Sequence, residues 1–167
     1  MPDYQQVIHE FKPVFNHDSQ ILILGTFPSV KSREQHFYYG HPQNRFWKVL
    51  AAITNNSVPS SVENKINFLH SHRIAIWDVI QSCEIIGSSD SSIRNVIPTD
   101  ISQLLLNSSI SAIFGNGAKS CELYNKYIFP TIEIEIEKLP STSPANAAWS
   151  LERLTKYWKT TLEPFLN

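Results

Sequence analysis

Gln20-Ile21-Leu22-Ile23-Leu24-Gly25 runs directly into Thr26-Phe27-Pro28-Ser29. A strand with one wet face alternates apolar and polar residues, whereas this run is apolar throughout and ends in a glycine and a proline-containing turn. That pattern suits a strand covered by helices on both faces of a parallel sheet. Arg73 to Val79 (RIAIWDV) and Ser109 to Gly115 (SISAIFG) repeat the design. Thr131 to Leu139 (TIEIEIEKL) alternates isoleucine and glutamate, which predicts a half-exposed edge strand. Helical stretches are expected between these runs: Arg45 to Thr54, Ser60 to His70, Thr99 to Leu106 with a capping residue at its start, and Ala118 to Tyr127. A last one, Ala147 to Leu162, sets Leu151, Leu154, Trp158 and Leu162 on one stripe. The alternation predicts a three-layer α/β/α domain around a central four-stranded, mainly parallel sheet. No repeat, low-complexity tract or linker breaks residues 1–167, so one domain is expected, with the Ser-rich piece Gly87 to Ser92 as a surface loop.

The chain has 167 residues, 42% hydrophobic and 11% aromatic, enough to bury one substantial core. No apolar run approaches the roughly 18 residues of a membrane span. Met1-Pro2-Asp3-Tyr4-Gln5-Gln6 has neither the basic nor the apolar region of a signal peptide. Cys83 and Cys121 cannot form a disulfide framework, and an iron–sulfur cluster needs about four thiolates. A reducing, cytoplasmic location is therefore expected. Lys and Arg number 14 against 15 Asp and Glu, so the surface is not that of a protein that coats phosphate backbones.

In an open α/β sheet, ligands bind beyond the carboxyl ends of the strands. The four strand tips here carry Gly25 to Ser29, Trp77-Asp78, Gly115 to Ser120, and Leu139-Pro140-Ser141-Thr142-Ser143-Pro144. Polar or Gly/Pro-rich tips on every strand point to one site. The third tip lacks the Gly-x-x-x-x-Gly-Lys spacing of a phosphate loop, which excludes nucleotide hydrolysis. No Gly-x-Ser-x-Gly elbow or Gly-x-Gly-x-x-Gly fingerprint occurs. The six histidines show no metal-ligand spacing, so neither metal nor cofactor is expected.

After the first strand the chain reads Tyr38-Tyr39-Gly40-His41-Pro42-Gln43-Asn44-Arg45-Phe46-Trp47. This His-Pro-x-Asn-Arg-Phe-Trp block resembles the mismatch-specific branch of the uracil-DNA glycosylase superfamily. Joined with Gly-x-Phe-Pro-Ser before it and Leu-Pro-Ser-Thr-Ser-Pro-Ala-Asn near the end, the chain looks most like the hypoxanthine-DNA glycosylase branch, over roughly Ile21 to Ser150. The mismatch-specific enzymes carry an asparagine where Phe27 stands, and the uracil-specific ones an aspartate; neither lies between Gly25 and Ser29. The resemblance implies that Asn44 takes over the catalytic role. It implies a monomeric, monofunctional glycosylase acting on DNA containing a deaminated base, hypoxanthine first. Uracil in G·U mismatches, or an inactive DNA-binding module of this fold, are the alternatives.

Such an enzyme flips the nucleotide into a pocket and needs a positioned water, donors for the leaving base and phosphate contacts. Asn44 is expected to position the water through its amide; as the residue before an apolar helix it also suits an N-cap. His41 is expected to contact the developing charge or to support the same turn. Tyr39 should stack on the flipped base, while Tyr38 packs the loop. Phe27 is a candidate for the other wall, or for the core. Asp78 can accept the N1–H of hypoxanthine or the N3–H of uracil, where adenine and cytosine present a lone pair. Its structural alternatives are an N-cap or an ion pair with Arg94. Ser141, Thr142 and Ser143 are expected to meet phosphate and minor groove, or else to cap the final helix. Lys48 and Lys119 could serve as lyase nucleophiles, but neither is expected in a clearly apolar pocket that would lower its pKa.

Overall fold

The computed structural model describes residues 3–166. In chain order the elements are β1 (Gln5–Ile8), β2 (Ile21–Gly25), α1 (Val30–Gln35), α2 (Phe46–Ile53), α3 (Val62–Ser71), β3 (Ile74–Asp78) and β4 (Ile80–Ile85). Then follow β5 (Arg94–Pro98), α4 (Ser102–Leu106), β6 (Ala112–Asn116), α5 (Ala118–Tyr127), α6 (Phe129–Ile132), β7 (Ile136–Leu139) and α7 (Leu151–Leu162).

The central sheet has the order β3-β2-β6-β7, and all its pairings are parallel. This is the expected four-stranded sheet. Alternate β2 side chains serve opposite layers. Ile21 and Ile23 join Val49, Leu50, Leu69, Leu154 and Trp158 from α2, α3 and α7. Leu22 and Leu24 join Ile101, Leu104, Leu123 and Tyr124 on the other face. Each of the four β2 side chains is fully buried, and burial of this kind contributes about 1.5–3 kcal/mol per side chain. β7 takes the edge position that its alternating sequence predicts.

A second sheet was not legible in the sequence. β1, β4 and β5 form an antiparallel three-stranded sheet in the order β1-β4-β5. The chain passes from β3 to β4 through Val79 alone, whose N–H bonds to Gly25 O at 2.8 Å. These strands are short, and β4 and β5 pair with register shifts, so neither a long apolar run nor a clean alternation marks them.

Three element boundaries need correction. Phe129–Ile132 is a short helix behind α5, with Pro130 in its first turn, so the expected strand from Thr131 begins only at Ile136. The helix expected from Thr99 begins at Ser102, where Asp100 Oδ1 accepts the Ser102 N–H, and Thr99 is buried. The final helix begins at Leu151, capped by Ser150. Leu154, Trp158 and Leu162 form its buried stripe, while Leu151 stays exposed.

Candidate active site

A cleft of about 470 Å³ opens over the carboxyl ends of the central strands. Chain order reverses between β2 and β6, the usual ligand position in such sheets. Lining residues come from the tips of β2 (Gly25 to Ser29), β3 (Asp78) and β6 (Asn116), from the Tyr38-to-Asn44 segment, and from the loop after β7 (Ser141 to Ala145). Every site residue expected from sequence therefore lines one cavity. So do Ser88 to Ser91, which were expected only as a surface loop. Ser88 Oγ accepts the Val30 N–H at 2.9 Å and Arg33 donates to Gly87 O at 3.1 Å, so α1 holds that loop at the cleft.

Asn44 sits in a hydrogen-bond chain that defines its orientation. Its Oδ1 accepts the Phe46 backbone N–H at 2.9 Å and the Thr142 hydroxyl at 2.9 Å. The backbone N–H can only donate, so the oxygen must face it, and both lone pairs are occupied. The amide NH₂ makes no hydrogen bond among the described residues and is the group left for the cleft. Asn44 thus supports the start of α2 and presents a donor at the same time.

The expectation for Thr142 is corrected. It is fully buried, not a free loop hydroxyl. Its Oγ1 donates to Asn44 and accepts from Asn116 Nδ2 at 3.0 Å, and its N–H donates to Asn116 Oδ1 at 3.0 Å. With all its polar atoms engaged, it ties the β6 tip and the last loop to the Asn44 turn. Ser141 and Ser143 remain partly exposed, each accepting one backbone N–H two residues on. Ser150, not this loop, caps α7.

Arg45 fastens the same loop. Its guanidinium donates to the carbonyls of Thr142, Ser143, Asn146 and Trp149, so residues 142–149 wrap around it. The planar five-donor fork suits several carbonyls at once. His41 accepts the Gln43 N–H on Nδ1 at 3.1 Å, and its carbonyl accepts from Asn44 N, so it shapes the turn while lining the cleft.

Opposite lies a buried hydrogen-bonded histidine–aspartate pair that the sequence did not disclose. His9 Nε2 is 2.8 Å from Asp78 Oδ2, with both side chains almost inaccessible. The Arg94 alternative is incorrect: Arg94 pairs with Glu84 at 3.3 Å. His9 follows β1, and Phe11, Phe27 and Tyr38 ring it with aromatic edges and faces. No signal near Asp78 in sequence marks a partner 69 residues away. Only Asp78 Oδ2 is used by His9; a Cβ on Gly25 would collide with Oδ1.

Phe27 lines the cleft, half-buried, with the Arg33 guanidinium 5.6 Å from its ring centre. Tyr38 packs the loop as expected, buried and donating to Lys12 O at 2.8 Å. Tyr39 lies in the left-handed region at φ 54°. Its ring stacks on Phe46 at 3.9 Å and 14°, so one face is already covered. Lys48 and Lys119 do not line the cleft; Lys48 is exposed and Lys119 pairs with Glu122. Among the described residues no group of three or more His, Cys, Asp or Glu side chains could hold a metal ion, and no helix is long and apolar enough to cross a membrane.

Comparison with known proteins agrees with this geometry. The model of the uracil DNA glycosylase superfamily matches residues 12–162. A hypoxanthine DNA glycosylase of Methanosarcina barkeri is 33% identical over 138 residues, 81% of this chain and 86% of that protein. One from Methanosarcina acetivorans is 34% identical over 149 residues, 88% of this chain and 93% of that protein. The solution NMR structure of a candidate uracil DNA glycosylase from Methanosarcina acetivorans superposes with a TM-score of 0.79 at 31% identity, covering 94% of this chain and 97% of that one. With a cleft at the sheet switch point and a family match across most of its length, the chain belongs to the uracil DNA glycosylase superfamily.

Proposed function

We propose that this DNA glycosylase excises hypoxanthine from DNA, working as one catalytic domain over the whole chain. The observation that carries the reading is the pairing of an ionisable acceptor, Asp78, with an amide donor, Asn44, on opposite sides of one cleft. The two relatives of about one-third identity are named for hypoxanthine, which supports the same choice.

The flipped base enters between Phe27 and the Tyr39 segment. Asp78 Oδ1 accepts its N1–H; adenine, with a lone pair at N1, meets repulsion there. As the C1′–N9 bond breaks, its electron pair goes to the base. The Asn44 NH₂ donates to the leaving base or to the attacking water, whose oxygen bonds C1′ and whose proton is released. Such donors are worth more as charge develops than in the ground state. Ser141 and Ser143 meet the phosphates, with Arg45 holding their loop. Uracil offers an N3–H to the same acceptor and is a weaker substrate. The enzyme acts as a monomer and without a lyase step, because no lysine reaches the cleft.

The test uses duplex oligonucleotides carrying hypoxanthine, uracil or normal bases, followed by alkaline cleavage of abasic sites, with and without EDTA. Hypoxanthine should be released fastest, uracil more slowly, normal bases not at all, and EDTA should change nothing. Absence of abasic product from hypoxanthine, or loss of activity on chelation, overturns the proposal.

A further inference from the structure

Three buried side-chain atoms have no hydrogen-bond partner among the described residues: Tyr39 Oη, His70 Nδ1 and Thr99 Oγ1. Of these, only Tyr39 belongs to a residue lining the cleft. Leaving a buried hydroxyl unpaired costs about 1–3 kcal/mol, so such an atom in a site calls for an explanation. The neighbourhood supplies one. A Cβ on Gly25 would lie 3.0 Å from Tyr39 Oη and would also overlap Asp78 Oδ1. The two oxygens therefore converge on the bare α-carbon of Gly25, an acceptor beside a hydroxyl. Burial, and next the charge of Asp78, raise the Tyr39 pKa well above the ordinary phenol value, while the Asn116 side chain, near the hydroxyl but outside hydrogen-bond geometry, acts in the opposite sense. The hydroxyl keeps its proton and remains a donor.

Deamination changes one edge of a base. The N=C–NH₂ edge of adenine or cytosine becomes H–N–C=O, so an acceptor turns into a donor and its neighbour does the reverse. We infer that Tyr39 reads the carbonyl half of this lactam edge with its hydroxyl while Asp78 reads the N–H half, so that the two residues together distinguish hypoxanthine and uracil from adenine and cytosine, the amino bases they come from. This rests on the proposed excision of deaminated bases; Phe46 covers one face of the Tyr39 ring and the other remains for the cleft. The carbonyl oxygen also gains negative charge as the base departs. A donor aimed at it therefore stabilises the transition state more than the bound substrate. Gly25 is required because any side chain there would fill the space between the two oxygens.

The deciding variant is Tyr39→Phe, which keeps the ring on Phe46 and removes only the hydroxyl. Single-turnover excision of hypoxanthine and of uracil should be measured beside the melting temperature. Both rates should fall about a hundredfold, the low end for losing a donor to a developing anion. The melting temperature should stay the same or rise, because an unpaired buried hydroxyl has gone. Wild-type rates in Tyr39→Phe would overturn the inference and leave Tyr39 a packing residue, with the glycosylase reading intact. A slower variant with a lower melting temperature would also overturn it. Failure of the unmodified protein to release either base would instead remove the proposed function, and this inference with it.

Discussion

The two sides of the cleft solve the same problem with different chemistry. On one side Asn116, Thr142 and Asn44 form a chain of neutral amides and a hydroxyl that joins the β6 tip, the loop after β7 and the turn before α2. On the other, Asp78 at the β3 tip is held by one ionisable partner, His9, from the chain just after β1. In both, one atom of the key side chain is consumed inside the protein and the other is left for the cleft. Asn44 gives its oxygen to the scaffold and offers NH₂; Asp78 gives Oδ2 to His9 and leaves Oδ1 beside Gly25. A neutral network can fix a donor without bringing charge to the base. A carboxylate acceptor needs a cationic or N–H partner to remain buried at tolerable cost.

Removing one member of the buried pair should have the largest effect. His9→Leu leaves Asp78 without its partner, and breaking a buried pair from one side costs about 3–5 kcal/mol. At roughly 2–4 °C per kcal/mol for a chain of this size, thermal melting should fall by about 6–20 °C. A shift of only a degree or two would mean that water or another group replaces His9, and the two sides would then differ less than proposed.

Asn44 separates scaffold from chemistry. Asn44→Ala should slow single-turnover excision by at least about 100-fold and also lower the melting temperature, since Phe46 N–H and the Thr142 hydroxyl lose their acceptor. Asn44→Asp keeps an acceptor oxygen for both and removes the NH₂. Its rate should fall as far with less loss of stability, and duplex binding should persist. A near-normal rate in Asn44→Asp would reduce Asn44 to support for the helix start.

Asp78→Asn is the milder change on the opposite side. Its oxygen can still accept from His9, but an NH₂ then faces the base N–H. Loss of a charged hydrogen bond costs about 1.5–3 kcal/mol, or roughly 10- to 150-fold in hypoxanthine excision. Discrimination against adenine should weaken as well. Unchanged relative rates on hypoxanthine, uracil and adenine would remove Asp78 from base selection.

Much of this arrangement was readable before any coordinates. Three apolar runs, a fourth that alternates, and their polar or Gly/Pro-rich ends located the parallel sheet and the end at which a ligand binds, because burial on two faces and sharp turns impose strict residue choices. The same reasoning passed over β1, β4 and β5, whose short and irregular pairing leaves no periodic trace. It assigned Thr142, with Ser141 and Ser143, to phosphate and minor groove or to the helix cap, whereas here its hydroxyl is enclosed by Asn44 and Asn116.

By itself, then, the sequence determined the parallel sheet, the cleft end and the residues gathered there: Asn44, His41, Phe27, Tyr39, Asp78 and the Ser141-to-Ser143 loop all line or border one cavity. Only the tertiary structure decided which atom of each residue faces inward. The His9–Asp78 pair, the capture of Asn44 Oδ1 by Thr142 and the orphan hydroxyl of Tyr39 depend on contacts between segments far apart in the chain. Hydrophobic periodicity is a local property that one segment can carry alone. The satisfaction of a polar atom is settled by whichever distant donor or acceptor the fold brings to it.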